Sequence, residues 1–449
     1  MPEAVVKSAY ARDNSGIAPK PLPGTNVPPE KRFFHLHHRL VLKEMSGRSL
    51  NQMTSRFLES QERRFANSEI GEDWTNIPDL YSWLENVVFQ ASVESLAGTK
   101  IFDVIPNLMN EYRDFYNAAP TILRGLPRVF SPKAYKARDT LVASLRKWHE
   151  EAQKNNPLRG FDTEGQGWDE WWGTQFVKQR KALVLAMDGM TLDGMASDDL
   201  ALILTANVNA VPSAAWLIID VMRNPSLFER VMPEVTGAFE ADAEGRKSLN
   251  IVKLCNSPLL QSIYAETLRL RTSNMLPRVI NTGEQPLKRW TFPKKGAVFV
   301  LGNVAAFDEN VWNSGTGSEP HPLHEFWADR FLKYPDDPRS GPLRNPAPEA
   351  KKAGLDEITE DDGPRFTTSG LDGAWIPYGG GINMCPGRHF AKQELIGTFA
   401  MLVSQFDMEI LTPPEVKIEP NTGFRIFGTM PPKGKIEARI RRRRAPMDR

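Results

Sequence analysis

Apolar positions recur at helical spacing along most of this chain. Phe34, His38, Val41 and Met45 form one such stripe and Leu50, Met53 and Phe57 the next, with Gly47 as the break between two helices. The same period predicts helices over 80–93, 134–151, 225–239 and 258–270, and a buried helix face over Phe390, Ala391, Leu395, Phe399 and Leu402. Pro120, Pro127 and Pro132 mark loops, and 115–130 reads as an apolar, proline-punctuated stretch. Alternation replaces the helical period over 275–280, 290–292, 297–301, 415–420 and 435–441, which read as strands, with Lys294-Lys-Gly296 as a hairpin turn. Residues 1–32 are proline-rich and read as a short helix followed by an extended loop, and 333–370 as a long surface insertion. The pattern predicts a mainly α protein with small β-sheets, an α+β fold.

The longest apolar run is Ser197–Asn224. A serine cap, an acidic first turn (Asp198, Asp199) and a stop at Asn224-Pro225 delimit a helix of about 40 Å, apolar nearly all round and hence buried. Pro212 lies inside it, where proline kinks a helix at a cost of about 3 kcal/mol. The alternative is a helix boundary near Pro212 with Asn209 as a cap.

Composition narrows the function classes. Of the 449 residues, 41% are hydrophobic, enough for a substantial core; 56 basic against 55 acidic side chains give no electrostatic case for a nucleic-acid partner. Two cysteines, Cys255 and Cys385, cannot build a disulfide framework, and neither has zinc-ligand spacing around it. The first twenty residues carry charges and prolines throughout, so no signal peptide or anchor is expected and the chain reads as soluble and cytoplasmic. His35 and His38 share a helix face, but two imidazoles without a further ligand read as ordinary surface or hydrogen-bonded groups rather than a metal site. The basic run Arg439–Arg444 reads as a solvated tail, with contact to an anionic membrane surface as the second reading.

The chemistry gathers at Trp375–Lys392. Gly379, Gly380 and Gly381 let the backbone take positive φ, Pro386 suits the first position of a helix, and Cys385 therefore sits at a helix N-terminus. There the unpaired amides favour thiolate, a candidate metal ligand or nucleophile; the bland reading is a small buried hydrophobe. A phosphate cradle fails, because neither GxxxxGK[ST] nor GxGxxG can be laid on these glycines.

Gly381 four residues before Cys385, Gly387 two after it and Tyr378 seven before it resemble the haem-binding loop of the cytochrome P450 family, with Asn383 where the family usually carries a basic residue. Glu266-Thr-Leu-Arg269, then Phe326–Phe331 containing Arg330, then the cysteine loop follow in the family's order. The run Asn209–Trp216 is similar to the branch that includes sterol 7α-hydroxylases and prostacyclin synthase, in which Asn stands for the usual threonine and Pro follows three later.

That resemblance implies the cytochrome P450 fold as a single haem-thiolate domain over 1–449. Residues 1–32 would be a partial N-terminal region, and 33–449 a core that begins after the family's membrane anchor and first strands. Its cofactor would be heme b (iron protoporphyrin IX). Cys385 would be the axial ligand; Tyr378, Gly379, Gly381 and Gly387 would form the loop, and Arg278, His38 and Arg39 would neutralise the propionates. Arg388 could add to that charge. Asn209 would stand over the distal face, and Glu266, Arg269 and Arg330 would form a structural charge network. The expected activity is monooxygenation of a lipophilic, sterol-like or secondary-metabolite substrate by a monomer at the endoplasmic reticulum surface. Electrons would come from NADPH-cytochrome P450 reductase, docked near Arg388 and Lys392, with cytochrome b5 as a further donor. Two alternatives stand beside it: a haem-thiolate isomerase or dehydratase acting on a peroxide, and a non-catalytic haem binder.

Overall fold

The computed structural model describes residues 13–158, 167–241, 247–280, 283–315, 320–345 and 363–444. The described chain is mainly helical with several small antiparallel sheets. In chain order it runs α1 (Phe33–Glu44), α2 (Gly47–Ala66), β1 (Thr75–Ile77), α3 (Leu80–Ala97), α4 (Lys100–Val104), α5 (Leu108–Leu123), α6 (Pro132–Asn155), α7 (Gln175–Leu185), α8 (Leu192–Asn207) and α9 (Ala210–Met222). There follow α10 (Pro225–Gly237), β2 (Phe239–Ala241), β3 (Lys247–Leu249), α11 (Ile251–Cys255), α12 (Pro258–Arg271), β4 (Thr272–Val279), β5 (Gln285–Leu287), β6 (Trp290–Phe292), β7 (Ala297–Leu301) and α13 (Gly302–Ala305). The last elements are β8 (Leu332–Lys333), β9 (Arg365–Phe366), α14 (Arg388–Gln405), β10 (Phe406–Ile410), β11 (Phe427–Thr429) and β12 (Ala438–Arg442).

Contacts divide the chain into two compact units. The first comprises Met1–Glu69, Ser82–Val211 and Pro386–Glu394. It is a helical assembly: α6 packs on α5 and α8, and α1 packs on α7. The α1 face inserts Phe33 among Leu183, Val184, Met187 and Met195. Phe57 of α2 meets Phe390 edge-on, with ring centroids 6.1 Å apart.

In this unit α14 also carries Glu394, fully enclosed, with one carboxyl oxygen lacking a hydrogen-bond partner. Burial raises its carboxyl to about 8, and Ser92 close by counters this only in part. An unfolded glutamate ionises near 4.5, so the group favours folding below that value and this contribution is lost as the pH rises through 8. Glu394→Gln is therefore expected to raise the melting temperature at pH 8 and above, by the equivalent of about 1–3 kcal/mol, and to leave it nearly unchanged near pH 5. A thermal unfolding series in pH measures this.

The second unit comprises Ile70–Tyr81, Pro212–Cys385 and Leu395–Arg449. Two three-stranded antiparallel sheets organise it, in the orders β1-β12-β10 and β11-β4-β7. Thr75 and Met408 both face Ile440 in the first sheet; Thr429 faces Thr272 and Met275 faces Leu301 in the second. Trp216 of α9 donates its indole N–H to the Met430 carbonyl at 2.8 Å, and Ser213 meets Thr429 at 3.1 Å, which fixes the end of β11 to that helix.

Several expectations need correction. The long apolar run starts earlier, at Leu192, because Thr191 and not a serine supplies the cap by accepting from the Gly194 amide at 3.1 Å. It is interrupted at Val208 and Asn209, and Pro212 falls in the first turn of α9, where a missing amide costs no helical hydrogen bond. Helix α5 covers much of the stretch read as a loop and runs through Pro120, because Tyr112, Phe115, Tyr116 and Ala119 give it a buried face. Residues 415–420 form no strand: Pro413, Pro414 and Pro420 lack donors, and Arg223 takes the carbonyls of Pro413, Pro414 and Val416 at 2.8–2.9 Å. The strand read over 435–441 is present as β12, shifted to Ala438–Arg442, so the arginines there are no solvated tail: Arg441, and Arg443 just past the strand, pair with Asp407, and Arg439 with Glu409. Helix α14 begins at Arg388, two residues later than expected, and yields at Phe406 to β10. Residues 1–12, and 346–362 of the 333–370 insertion, lie outside the described residues.

Candidate functional site

The cysteine loop belongs to the second unit, where the backbone alone shapes much of it. Gly379 and Gly381 take φ of 74° and 65°, a region that disfavours side chains, and Gly381–Asn383 closes a single 3-10 turn. The Cys385 amide donates to the Tyr378 carbonyl at 2.9 Å and the Met384 amide to that of Gly381 at 3.1 Å. A Cβ at Gly380 or Gly381 would meet nothing within 4 Å, so bare backbone faces open space. Cys385 is exposed whereas Cys255 is buried, which makes Cys385 the accessible thiol.

The loop is pinned from behind. Asn274 of β4 donates its side-chain amide to the Ile376 carbonyl at 2.9 Å and the Pro377 carbonyl at 3.2 Å, and Trp375 donates to the Ala265 carbonyl at 3.2 Å. Tyr378 meets the hydroxyl of Tyr264 on α12 at 2.5 Å. Burial, followed by Tyr378, pushes the Tyr264 hydroxyl well above the ordinary tyrosine value, so it stays protonated and available as a donor.

Glu266 lies on the same helix, with its carboxylate completely enclosed. Arg269 grips it through two nitrogens at 2.7 and 2.9 Å, Arg330 adds a third contact at 3.0 Å, and the Trp327 amide a fourth at 3.2 Å. Burial pushes this carboxyl up, but the two guanidiniums outweigh it and hold it below the usual range. Each arginine spends further donors on carbonyls: Arg269 on Ala306 at 2.8 Å and Leu323 at 2.7 Å, Arg330 on Asn313. Ser262, one turn earlier, holds the Ala328 carbonyl at 2.5 Å and accepts from the Phe331 amide at 3.1 Å. The cluster thus ties α12 to the segment carrying Arg330, and Asn274 and Trp375 tie the cysteine loop to the same helix and strand. Asn274, Ser262, Tyr264 and Asn313 carry no local sequence signal; only long-range contacts reveal them.

The other expected site residues are distributed as follows. Arg278 is half-buried on β4 and donates to the Pro277 carbonyl at 2.8 Å. In the first unit, His38 and Arg39 lie on α1, and their side chains make no hydrogen bond or ion pair among the described residues. Gly387 lies in the turn before α14, and Arg388 opens that helix. Asn209 is exposed in the break between α8 and α9. Asn383 is exposed in the 3-10 turn.

One accessible thiol on an open glycine loop suits a group that needs a single soft ligand and a broad bare surface beside it. Among the described residues no cluster of three or more His, Cys, Asp or Glu side chains could hold an ion by itself. The donor set therefore fits thiolate ligation of a haem and not a multi-ligand metal centre.

Residues 80–438, about four-fifths of the chain, match the cytochrome P450 family, and the chain belongs to it, as a cytochrome P450 monooxygenase. It is 34% identical over 413 residues to the cytochrome P450 monooxygenase efuG of Hormonema carpetanum, an alignment covering 90% of this chain and 72% of the relative. It is 33% identical to the monooxygenase fsoE of Humicola fuscoatra, covering 91% of this chain and 70% of the relative. The likeness to the cholesterol 7-alpha-monooxygenase of Cricetulus griseus is weaker, 24% identity covering 80% of this chain and 65% of that one.

Proposed function

We propose that this enzyme oxidises a lipophilic secondary metabolite or sterol-like molecule, with a haem held through Cys385 and electrons from a flavin reductase of the NADPH-cytochrome P450 type. The observation that carries the reading is the exposed Cys385 on its pinned glycine loop. Similarity to fungal monooxygenases supports the substrate class, and the weaker likeness to a cholesterol 7-alpha-monooxygenase supports a polycyclic, apolar shape for it.

A bound haem would supply oxygen activation, promoted by electron donation from the thiolate. Cys385 binds through its sulfur, and the carbonyl of Tyr378 holds its backbone amide. Gly379, Gly380 and Gly381 let a flat group lie against the chain without steric conflict. In this reading His38, Arg39 and Arg278 would be the cations for the two propionates, and Arg388 would add to that charge because Asn383 carries none. Asn209, in the helix break, offers a carboxamide that holds a water where the family more often has a threonine. Its Nδ2 donates and its Oδ1 accepts, so it orients a proton donor without itself giving one up.

Turnover of the reductase-coupled enzyme with labelled dioxygen tests this. One labelled atom is expected in the product for each NADPH consumed in product formation. Product formed from a peroxide, with no label and no NADPH requirement, would overturn it.

A further inference from the structure

Asn274 joins a sheet of the second unit to the cysteine loop of the same unit. It lies on β4, the middle strand of β11-β4-β7, where Phe427 is its partner on one side. On the other side the ladder pairs Met275 with Leu301, so the next step of the register sets Asn274 opposite Gly302, the first residue of α13. Asn274, Gly302, Ile376, Pro377, Tyr378 and Cys385 all belong to this one unit.

The orientation of the Asn274 side chain follows from what it meets. It reaches the carbonyls of Ile376 and Pro377 at 2.9 and 3.2 Å. Both are acceptors, so the carboxamide presents its nitrogen to them, and Oδ1 is left facing Gly302. The Ile376 carbonyl also takes the Gly379 amide at 3.0 Å, which closes the turn leading into the glycine stretch. Tyr378, inside that turn, gives its carbonyl to the Cys385 amide at 2.9 Å. Trp375 and Tyr378 are tied to α12 through their side chains, whereas Asn274 takes hold of the backbone of the turn that carries the cysteine.

Gly302 makes this contact possible. It is not among the glycines with positive φ, so its backbone would accept a side chain. A Cβ there would stand well inside contact distance of Asn274 Oδ1 and 3.1 Å from Cγ, whereas the next atom, the Asn274 carbonyl oxygen, lies at an ordinary 3.6 Å. The carboxamide is therefore what excludes a side chain at position 302. Because it is the end of a rotatable side chain, an added methyl group would turn the amide off the two loop carbonyls and leave the strand in place.

We propose that Asn274 is a positioning residue for Cys385, holding the turn 376–379 so that the sulfur keeps one position for the haem iron, and that Gly302 acts through Asn274 by leaving room for its carboxamide. The inference rests on the reading of Cys385 as the haem ligand. Without the two hydrogen bonds the turn is held only through Trp375 and Tyr378, and the sulfur leaves the iron more readily.

The test follows the red-shifted Soret band of the reduced, CO-bound holoprotein over time in buffer without denaturant, together with the far-ultraviolet circular dichroism of the same sample. Wild type, Gly302→Ala, Asn274→Ala and the Gly302→Ala/Asn274→Ala double variant are compared. Each single variant is expected to lose the band about tenfold faster than the wild type, with the dichroism unchanged over the same interval. The double variant should match Asn274→Ala, because without the carboxamide a methyl group at position 302 meets nothing closer than 3.6 Å. A wild-type rate in Asn274→Ala would overturn the role of Asn274. A double variant about tenfold faster again than Asn274→Ala would show that Gly302 acts independently and overturn its part. Loss of band and dichroism in step would reduce the tie to ordinary fold stability and overturn the positioning role. Should Gly302→Ala not fold, Asn274→Ala decides. A wild type without the red-shifted band would instead overturn the ligand reading beneath the proposal, and the proposal with it.

Discussion

Replacing Glu266 by leucine is expected to destabilise the second unit by about 3–5 kcal/mol, a large share of the roughly 5–15 kcal/mol that holds an ordinary domain together. The reason is the asymmetry between forming and breaking a buried charge cluster. Arg269 and Arg330 have side chains with no solvent exposure, and among the described residues Glu266 is the one carboxylate that meets both. Removing it strands two guanidiniums whose remaining partners are carbonyl dipoles, and burial already works against the charge on Arg330. Because the same helix holds Trp375 through the Ala265 carbonyl and Tyr378 through Tyr264, the cysteine loop should loosen with it. Urea unfolding of the purified variant measures the loss. A midpoint within error of the wild type would show that the cluster is not the tie described above.

The second large effect is at the thiol itself. Cys385→Ala is expected to fold, because the side chain is exposed and the Cys385 amide keeps its bond to the Tyr378 carbonyl whatever the residue. It should lose thiolate ligation entirely, seen as disappearance of the red-shifted Soret band of the reduced, CO-bound protein. Cys255→Ala should keep that band. Cys255 is buried at the end of α11, and its replacement by alanine is expected to cost about 1 kcal/mol. An unchanged band in Cys385→Ala would remove the central assignment.

How much of this was legible in the sequence depends on the range of the interactions involved. Helices α1, α2, α3, α6, α10 and α12 announce themselves through periodic apolar stripes and caps, which are local. The Glu266–Arg269 spacing is local too, and its partner Arg330 followed from the order of motifs in the resemblance. The anchors behind the cysteine loop could not be read that way. Asn274 lies 102 residues from Ile376, and Ser262 lies 66 from Ala328, with nothing nearby in sequence to mark either. Two apparent strand and tail readings failed for a related reason. In 415–420 the alternation was real but Pro413 and Pro414 before it and Pro420 at its end lack donors, whereas the strand read over 435–441 is found as β12, and the arginines read as a tail belong to it because Asp407 and Glu409 of β10 face them across the ladder. The interruption at Val208–Asn209 was signalled by Pro212, displaced by three residues, since proline tolerates a first turn and the break must precede it.

The buried contacts of His149 with Lys181 and of His37 with Arg180 were likewise hidden, since histidines and lysines at those spacings look like ordinary surface positions until burial is known.

The most direct test of the account is the absorption spectrum of the haem-loaded wild-type protein after reduction and addition of CO. Thiolate ligation through Cys385 predicts the red-shifted Soret band. A band at the position given by an imidazole-ligated or unligated haem, in a protein shown to be folded, would contradict it.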